Sequence, residues 1–378
     1  MILPGATLGL LGGGQLGRMF TAAARTMGYD VIVLDPDPQS PAAHFASQHL
    51  CADFHDEQAL EQLANRCAAV TTEFENPPAD SLAWLAQRIP VRPGASAVAI
   101  AQDRIREKTF FAENGFPVGS FAIIQSDADF DSVTESIQFP AILKTARFGY
   151  DGKGQVRVAM ADSARAAFHA WRGVPCVLEQ SLALKLEVSV VLARGDSGEI
   201  ATFPVAENQH QNGILDISIV PARISNRLAD QAQDIARRLA VDLDYCGILA
   251  IEFFIVDDQD GNEELLINEI APRPHNSGHY TIDACLTSQF EQQVRALCGL
   301  PLGPTSQHTA AVMVNLLGDV WKTNELAADV ILIHPNAKLH LYGKRDARIG
   351  RKMGHYTLLG TDVESALLSA FEIQQRLT

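Results

Sequence analysis

Two apolar segments joined by an Asp-Gly turn constrain this chain more than any other stretch. Ile248 to Val256 and Leu265-Leu266-Ile267 flank Asp257-Asp258-Gln259-Asp260-Gly261-Asn262. An Asp-Gly pair between apolar runs predicts a β-hairpin, because glycine supplies the positive φ of a tight turn. With Asp260 and Gly261 as the central turn residues, cross-strand partners carry numbers that add to 521. Glu252 and Glu269 meet that condition, so the hairpin sets two carboxylates opposite each other. A slip of one residue would send them to opposite faces. Like charges so placed repel by about 4 kcal/mol at ~4 Å and an effective dielectric of ~20. A divalent cation between them removes the repulsion, and oxygen ligands completed by phosphates suit magnesium. A half-exposed hairpin with both acids in water accounts for the same residues, and the hairpin alone does not choose. The second strand then enters a dense polar group: Asn268, Glu269, Arg273, His275, Asn276 and His279. Pro272 and Pro274 stiffen the backbone on either side of Arg273.

The 378 residues around this hairpin suggest two or three domains. At 47% hydrophobic and 20% charged, the chain has ample material for a core. Its formal net charge of −15 argues against nonspecific binding to nucleic acid or an anionic membrane. An anionic substrate must therefore meet a local cationic cluster. The six cysteines include no CxxC pair and read as free thiols in a reducing cytosol. The first residues, MILPGATLGLLGGGQ, have no basic region of the signal-peptide kind, and no apolar run is long enough for a bilayer span.

Ala6 to Leu11 predicts a short strand, followed by Gly12-Gly13-Gly14-Gln15-Leu16-Gly17, a helix over about Gln15 to Met27, and a second strand, Val31 to Asp35. This GxGxxG between strand and helix is a dinucleotide fingerprint, which by itself favours NAD. Its physical content is broader: glycines allow close approach, and a helix N-terminus attracts any anion, a phosphate monoester included. A tight βα turn without ligand fits too. The βα alternation continues to about Pro93. Glu73 and Glu75 follow the strand ending at Thr72, where parallel sheets bind ligands, although the next helix also favours acids at its start.

In the middle of the chain, Asp103 to Asn114 predicts a helix with Arg104, Arg106 and Lys108 near its start. Phe139 to Lys144 is a strand that leads into a loop, Thr145 to Gln155, with three glycines around Tyr150 and Asp151. A strand resumes at Val156, so the loop lacks the helix that a Walker A motif requires. It reads as a hairpin flap whose amides can cover phosphates, with Lys144 as a point charge for them. A surface hairpin with a solvated lysine leaves the glycines unexplained. Cys176 to Gln180 is a strand whose edge can meet an adenine, and Glu187 lies on the next strand, where an acid can accept from ribose hydroxyls. His210 sits in a polar loop, as many surface histidines do. Arg227 to Leu243 carries the apolar stripe of a helix packed on a sheet. After Gly299 a small closing domain is expected, with strands at Ala310 to Leu317 and His340 to Tyr342 and a last helix from Glu364. Its loop Gly343 to Lys352 is strongly basic in an acidic chain. A solvated turn is the ordinary reading of such a run, and a phosphate site is the other.

Together these pieces resemble the ATP-grasp superfamily and, within it, the N5-carboxyaminoimidazole ribonucleotide synthases of purine biosynthesis. The resemblance spans essentially the whole chain and is most specific in GGGQLGR, FGYDGKGQ, INEIAPRPHNSGH and YGK…GRKMGH. It implies an α/β and α+β architecture: a Rossmann-like N-terminal domain over 1–103, an ATP-grasp domain over 104–300 with a flap at about 118–182, and a small C-terminal domain over 301–378. The implied reaction forms carboxyphosphate from ATP and bicarbonate and transfers CO2 to the amine of 5-aminoimidazole ribonucleotide. Magnesium as cofactor, small-molecule substrates and a cytoplasmic homodimer go with it. Formate-dependent phosphoribosylglycinamide formyltransferase shares the architecture, but HNSGH and the YGK…GRK tail favour the synthases. An NAD-dependent oxidoreductase would leave the flap and the carboxylate hairpin unexplained, and ATP turnover would exclude a noncatalytic nucleotide-binding protein.

By position, the resemblance assigns ATP contacts to Arg104, Lys144, Gly149, Tyr150, Asp151, Gly152, Lys153, Gly154, Gln155, Glu179, Gln180, Ser181, Leu182, Glu187, His210, Asn268 and Glu269. Glu252 and Glu269 match the metal ligands. Gly14, Gln15, Leu16, Glu73, Tyr150, Asp151, His275, Asn276, Lys344 and Arg351 match the ribonucleotide site. Arg273 and Asn276 fall where the bicarbonate-derived intermediate is held; Asp151, Arg273 and His275 form the catalytic set, with Asp151 the candidate proton acceptor. The glycine turn then becomes a phosphate-ribose site rather than an NAD site.

Overall fold

The computed structural model describes residues 1–74, 76–147, 149, 153–258, 260–321 and 325–377. Its first sheet is parallel, in the spatial order Gln48–Leu50, Asp30–Leu34, Thr7–Leu11, Ala69–Thr72. Leu8, Leu10, Val31 and Val33 are buried, as strands covered on both faces require. The helix Gln15–Thr26 turns Leu16, Phe20 and Ala24 inward, four residues apart, against Phe290, Val294 and Leu297 of the helix Gln289–Cys298. That later helix is therefore part of the first core.

A second, antiparallel sheet forms the flap, in the order Phe121–Ile124, Cys176–Gln180, Ala141–Thr145, Gln155–Val158. The backbone Ile267 N–H donates to Pro117 O at 2.7 Å and ties the base of the flap to the carboxylate hairpin.

The largest sheet among the described residues has nine strands. From its hairpin edge it runs Glu263–Ala271, Gly247–Asp257, Leu186–Arg194, Ala206–Gln211, Ile214–Val220, Ala310–Leu317, Lys352–Gly360, Ala337–Leu341, with Ile200–Thr202 paired beside Leu186–Arg194. The helix Asn226–Asp242 lays Leu228, Ala232, Ala236 and Leu239 on Val190, Leu192, Leu249 and Ile251. Among the described residues, the strands of the expected closing domain all join this sheet. Ile214–Val220 offers an open edge, and Ala310–Leu317 takes it, pairing Ile217 with Val314. No helix among the described residues is long and apolar enough to cross a membrane.

Candidate active site

The hairpin does set Glu252 opposite Glu269, but by two deviations that cancel. From Phe253 to Asp257 the partners run from Ile267 to Glu263, so their numbers add to 520. The turn is closed by Asp258, whose Oδ1 accepts from the amides of Asp260 and Asn262, each at 2.8 Å. It is one residue longer than the two-residue turn expected. A β-bulge beyond Phe253 then leaves Asn268 without a partner and restores the facing pair. The Lys108 ammonium holds the bulge by donating to Asn268 O at 2.8 Å. Asn268 Oδ1 is buried and has no hydrogen-bond partner among the described residues.

Each acid of the pair has its own side-chain partner. His275 Nε2 lies 3.1 Å from Glu252 Oε1, and Arg104 Nη1 donates to Glu269 Oε2 at 2.9 Å. Burial alone would raise the Glu252 carboxyl; the His275 hydrogen bond and the charges of His275, His210 and Lys352 bring it below its ordinary range. His275 is in turn held by Ser277 Oγ, 2.8 Å from Nδ1, and Ser277 Oγ lies 2.7 Å from Ser189 Oγ. Two facing carboxylates and an unpartnered amide oxygen beside them form an oxygen donor set that fits a hard divalent cation.

A second charged cluster is built on the helix Arg104–Glu113. Arg104 and Lys108 stand one turn apart on it, the first bonded to Glu269 and the second beside Glu179. Lys144 is buried rather than solvated and donates to Glu179 Oε2 at 2.9 Å, with Lys108 Nζ 3.6 Å from the same oxygen. Burial would raise Glu179, but the ammoniums of Lys108 and Lys144 outweigh it and hold the carboxyl at about 2. Glu107, fully enclosed on the same helix, is pushed up to about 8 by burial and by Glu269, and it accepts from Ile270 N at 2.8 Å. The structure also brings Lys108 and Glu107 into this cluster; their spacing from Arg104 on one predicted helix is the signal for it. His210 is no solvated surface histidine. It lies 3.1 Å from Glu187 Oε2, and although burial would lower it, that acid raises it.

In the flap, Lys144 pairs with Gln155 across the hairpin, and Thr145 N donates to Gly154 O at 2.8 Å. A Cβ on Gly149 would lie 3.1 Å from Lys153 O, so the glycine lets the loop close on itself. Tyr150, Asp151 and Gly152 lie outside the described residues, as do Glu75 and Phe148. The ladders of the strand Cys176–Gln180 run on to its end, with Gln180 N bonded to Ser120 O and Ser181 N to Pro140 O, both at 3.0 Å, and Leu182 beyond them.

The glycine turn differs from expectation. Its amides do not face an empty anion site. Gly14 N and Gly17 N donate to the two oxygens of Glu73 at 2.7 and 2.8 Å, and Gly13 N donates to Asp35 Oδ2 at 2.6 Å. Glu73 is buried, and burial raises its carboxyl against the opposing pull of those amides and of Arg273. A Cβ on Gly14 would lie 2.5 Å from Glu73 Oε1, so the glycine pattern is accounted for by an internal acid. Only the first-turn amides of Gln15 and Leu16, which have no acceptor within their helix, bond no side chain among the described residues.

The basic loop does reach this turn. Lys344 Nζ donates to Gln15 Oε1 and to Lys352 O, each at 2.7 Å. Arg351 Nη1 donates to Asp346 O at 2.9 Å and is half-buried. Asn276, expected at the intermediate, bonds a buried partner: its amide and that of Asn315 exchange two hydrogen bonds, of 3.0 and 2.8 Å. Arg273 Nη1 donates to Pro274 O at 3.0 Å, and its charge acts on Glu73.

Three family models cover the chain: a ribonucleotide synthetase preATP-grasp domain over residues 5–102, an ATP-grasp domain over 109–290, and a phosphoribosylaminoimidazole carboxylase C-terminal domain over 311–368. The N5-carboxyaminoimidazole ribonucleotide synthase of Bacillus subtilis is 43% identical over 95% of this chain and 93% of its own length. The structure of the Staphylococcus aureus N5-carboxyaminoimidazole synthetase complexed with ADP superposes with a TM-score of 0.91 at 39% identity, covering 98% of each chain. That of the Aspergillus clavatus N5-carboxyaminoimidazole synthase, with ADP and 5-aminoimidazole ribonucleotide, gives 0.90 at 30% identity, again over 98% of each.

Proposed function

The chain belongs to the N5-carboxyaminoimidazole ribonucleotide synthase family, and on that premise we propose how its residues turn 5-aminoimidazole ribonucleotide, ATP and bicarbonate into N5-carboxyaminoimidazole ribonucleotide, ADP and phosphate. It is an ATP-dependent carbon–nitrogen ligase of purine biosynthesis. The observation that carries the residue assignments is the facing of Glu252 and Glu269, one backed by His275 and the other by Arg104.

ATP lies between the flap and the large sheet. Glu179, Gln180, Ser181 and Leu182 border the adenine, and Glu187, with His210 beside it, accepts from the ribose hydroxyls. Arg104, Lys108 and Lys144 exchange their carboxylate partners for phosphate oxygens. Gly149 to Gln155 closes over them, which keeps water from a short-lived acyl phosphate. Glu252 and Glu269, with Asn268 Oδ1, would hold magnesium, which when bound neutralises charge on the phosphates. A bicarbonate oxygen attacks the γ-phosphorus, the bond to the β-phosphate oxygen breaks, and ADP leaves with carboxyphosphate formed. Arg273 meets the charge that develops there. The ribonucleotide amine then bonds to the carboxyl carbon, phosphate departs, and Asp151 takes the amine proton.

Lys344, Arg351 and the amides of Gln15 and Leu16 grip the ribonucleotide phosphate. Gly14 is committed to Glu73 and serves by shaping the turn. His275 orients Glu252 next to the reacting carbon. The division at 103 and 300 belongs to the same reading, supported at its first boundary by the separate parallel sheet. So do the cytoplasmic setting and the homodimer, which sedimentation of the purified protein tests.

The function is tested by ADP release with 5-aminoimidazole ribonucleotide and with glycinamide ribonucleotide, each with and without bicarbonate or formate. Release that needs aminoimidazole ribonucleotide and bicarbonate together is expected. Release driven by glycinamide ribonucleotide and formate would overturn the reading.

A further inference from the structure

The helix Gln289–Cys298 carries three buried glutamines, Gln289, Gln292 and Gln293, at positions that share one helix face. Buried side-chain amides are costly unless they are bonded, so their partners are informative. Gln293 Nε2 donates to Thr71 Oγ1 at 3.2 Å and Thr72 O at 3.3 Å, just before Glu73. Gln292 grips the connector to the last strands: Nε2 donates to Gly303 O at 2.6 Å, and Oε1 accepts from Gly303 N at 3.0 Å.

Gln289 makes the same two-way grip on His275. Its Oε1 accepts from His275 N at 2.9 Å, and its Nε2 donates to His275 O at 2.8 Å. The side-chain amide thus completes both backbone groups of His275, as a neighbouring strand would. Nε2 also lies 3.1 Å from His279 Nδ1. The loop is shaped around this amide: a Cβ on Gly278 would lie 2.6 Å from Gln289 Oε1.

We propose that Gln289 is a positioning residue for the reaction, fixing the His275 backbone and, through the His275 ring, the Glu252 carboxylate. It touches no substrate in this scheme. The proposal rests on the function given above for His275 and Glu252. Gln292 is its internal control, since it sits on the same helix, is as deeply buried and makes an equal pair of backbone bonds, but away from His275.

The test compares wild type, Gln289→Met, Gln292→Met and Gly278→Ala by steady-state kinetics, thermal melting and hydrogen exchange of the 272–279 segment. Gln289→Met should lower kcat about ten- to a hundredfold, leave KM for ATP within about threefold, and speed exchange at 272–279. Gln292→Met should lose similar thermal stability without either change. Gly278→Ala, which crowds the same amide while removing no polar group, should share the Gln289→Met signature and carries the test if that variant does not fold. Equal kcat losses in the two glutamine variants at matched stability would overturn the proposal, as would unchanged kcat in Gly278→Ala with altered exchange. If wild type itself releases no ADP with aminoimidazole ribonucleotide and bicarbonate, the functional reading has failed instead. The exchange comparison then decides the grip alone, and equal protection of 272–279 in both variants overturns it.

Discussion

The ammonium of Lys344 donates to Oε1 of Gln15 at 2.7 Å, which joins the basic loop near the end of the chain to the first turn of its first helix. Both ends of the sequence therefore border the turn where we place the ribonucleotide phosphate. Arg351, bonded to Asp346 O in the same loop, is placed to give a charge-assisted contact to that anion. Losing such a contact costs roughly 1.5–3 kcal/mol, or about one to two decades of affinity. Arg351→Ala should raise KM for aminoimidazole ribonucleotide by that factor and leave KM for ATP almost unmoved. Varying each substrate in turn checks it; a rise confined to ATP would put the loop in the nucleotide site.

Glu269→Gln should abolish ATP turnover, because it removes one of the two facing acids while keeping an acceptor for Arg104. The partly exposed ion pair it weakens contributes only about 1 kcal/mol, so in a chain of 378 residues Tm should fall by roughly 1–2 °C. A folded variant that still releases ADP at the wild-type rate would remove Glu269 from the metal site.

Glu73 occupies the amides that would otherwise draw an external anion. Glu73→Ala should cost about 1–3 kcal/mol by leaving those donors unpaired. It should also open a weak site for inorganic phosphate at the start of the helix. Added phosphate is then expected to raise Tm of the variant more than that of wild type. Equal shifts would mean that the turn collapses on itself once the acid is gone.

His279 and His355 are fully buried with ring centroids 4.8 Å apart, and His355 stacks on His340 at 4.7 Å. Burial, followed by neighbouring positive charge, drives both well below the ordinary histidine range. The unfolded chain then binds protons that the folded one refuses. Stability from this source is complete above about pH 6.5 and falls as pH drops below it, by up to about 1.4 kcal/mol per pH unit for each histidine. Urea melts between neutral pH and pH 5 should show that slope, and His355→Gln should remove about half of it. A slope unchanged in the variant would place the protons elsewhere.

The glycine turn between strand and helix and the flap hairpin could be read from local pattern, because each is set by neighbours in sequence. Residues far apart could not. The Asn276–Asn315 pair and the Glu73 carboxylate under Gly14 depend on how separate elements stack, and nothing local marks them. The hairpin is the instructive case. Glu252 and Glu269 face each other as the turn motif suggested, yet the turn is longer and the Asn268 bulge takes up the difference. The bulged Asn268 O is bonded by Lys108, from a helix far away in sequence, a contact that the strand sequence does not show.

Because Ile214–Val220 pairs on its outer side with Ala310–Leu317, a fragment ending near residue 300 would leave a long interior strand bare. Ile217 and Ile219 would lose their cover, and the unpaired edge would invite self-association. Truncation is therefore a poor route to a minimal nucleotide-binding piece of this protein. A tag or sensor domain belongs instead at the exposed 260–262 tip, where the Asn268 bulge stands between the insertion and the two acids.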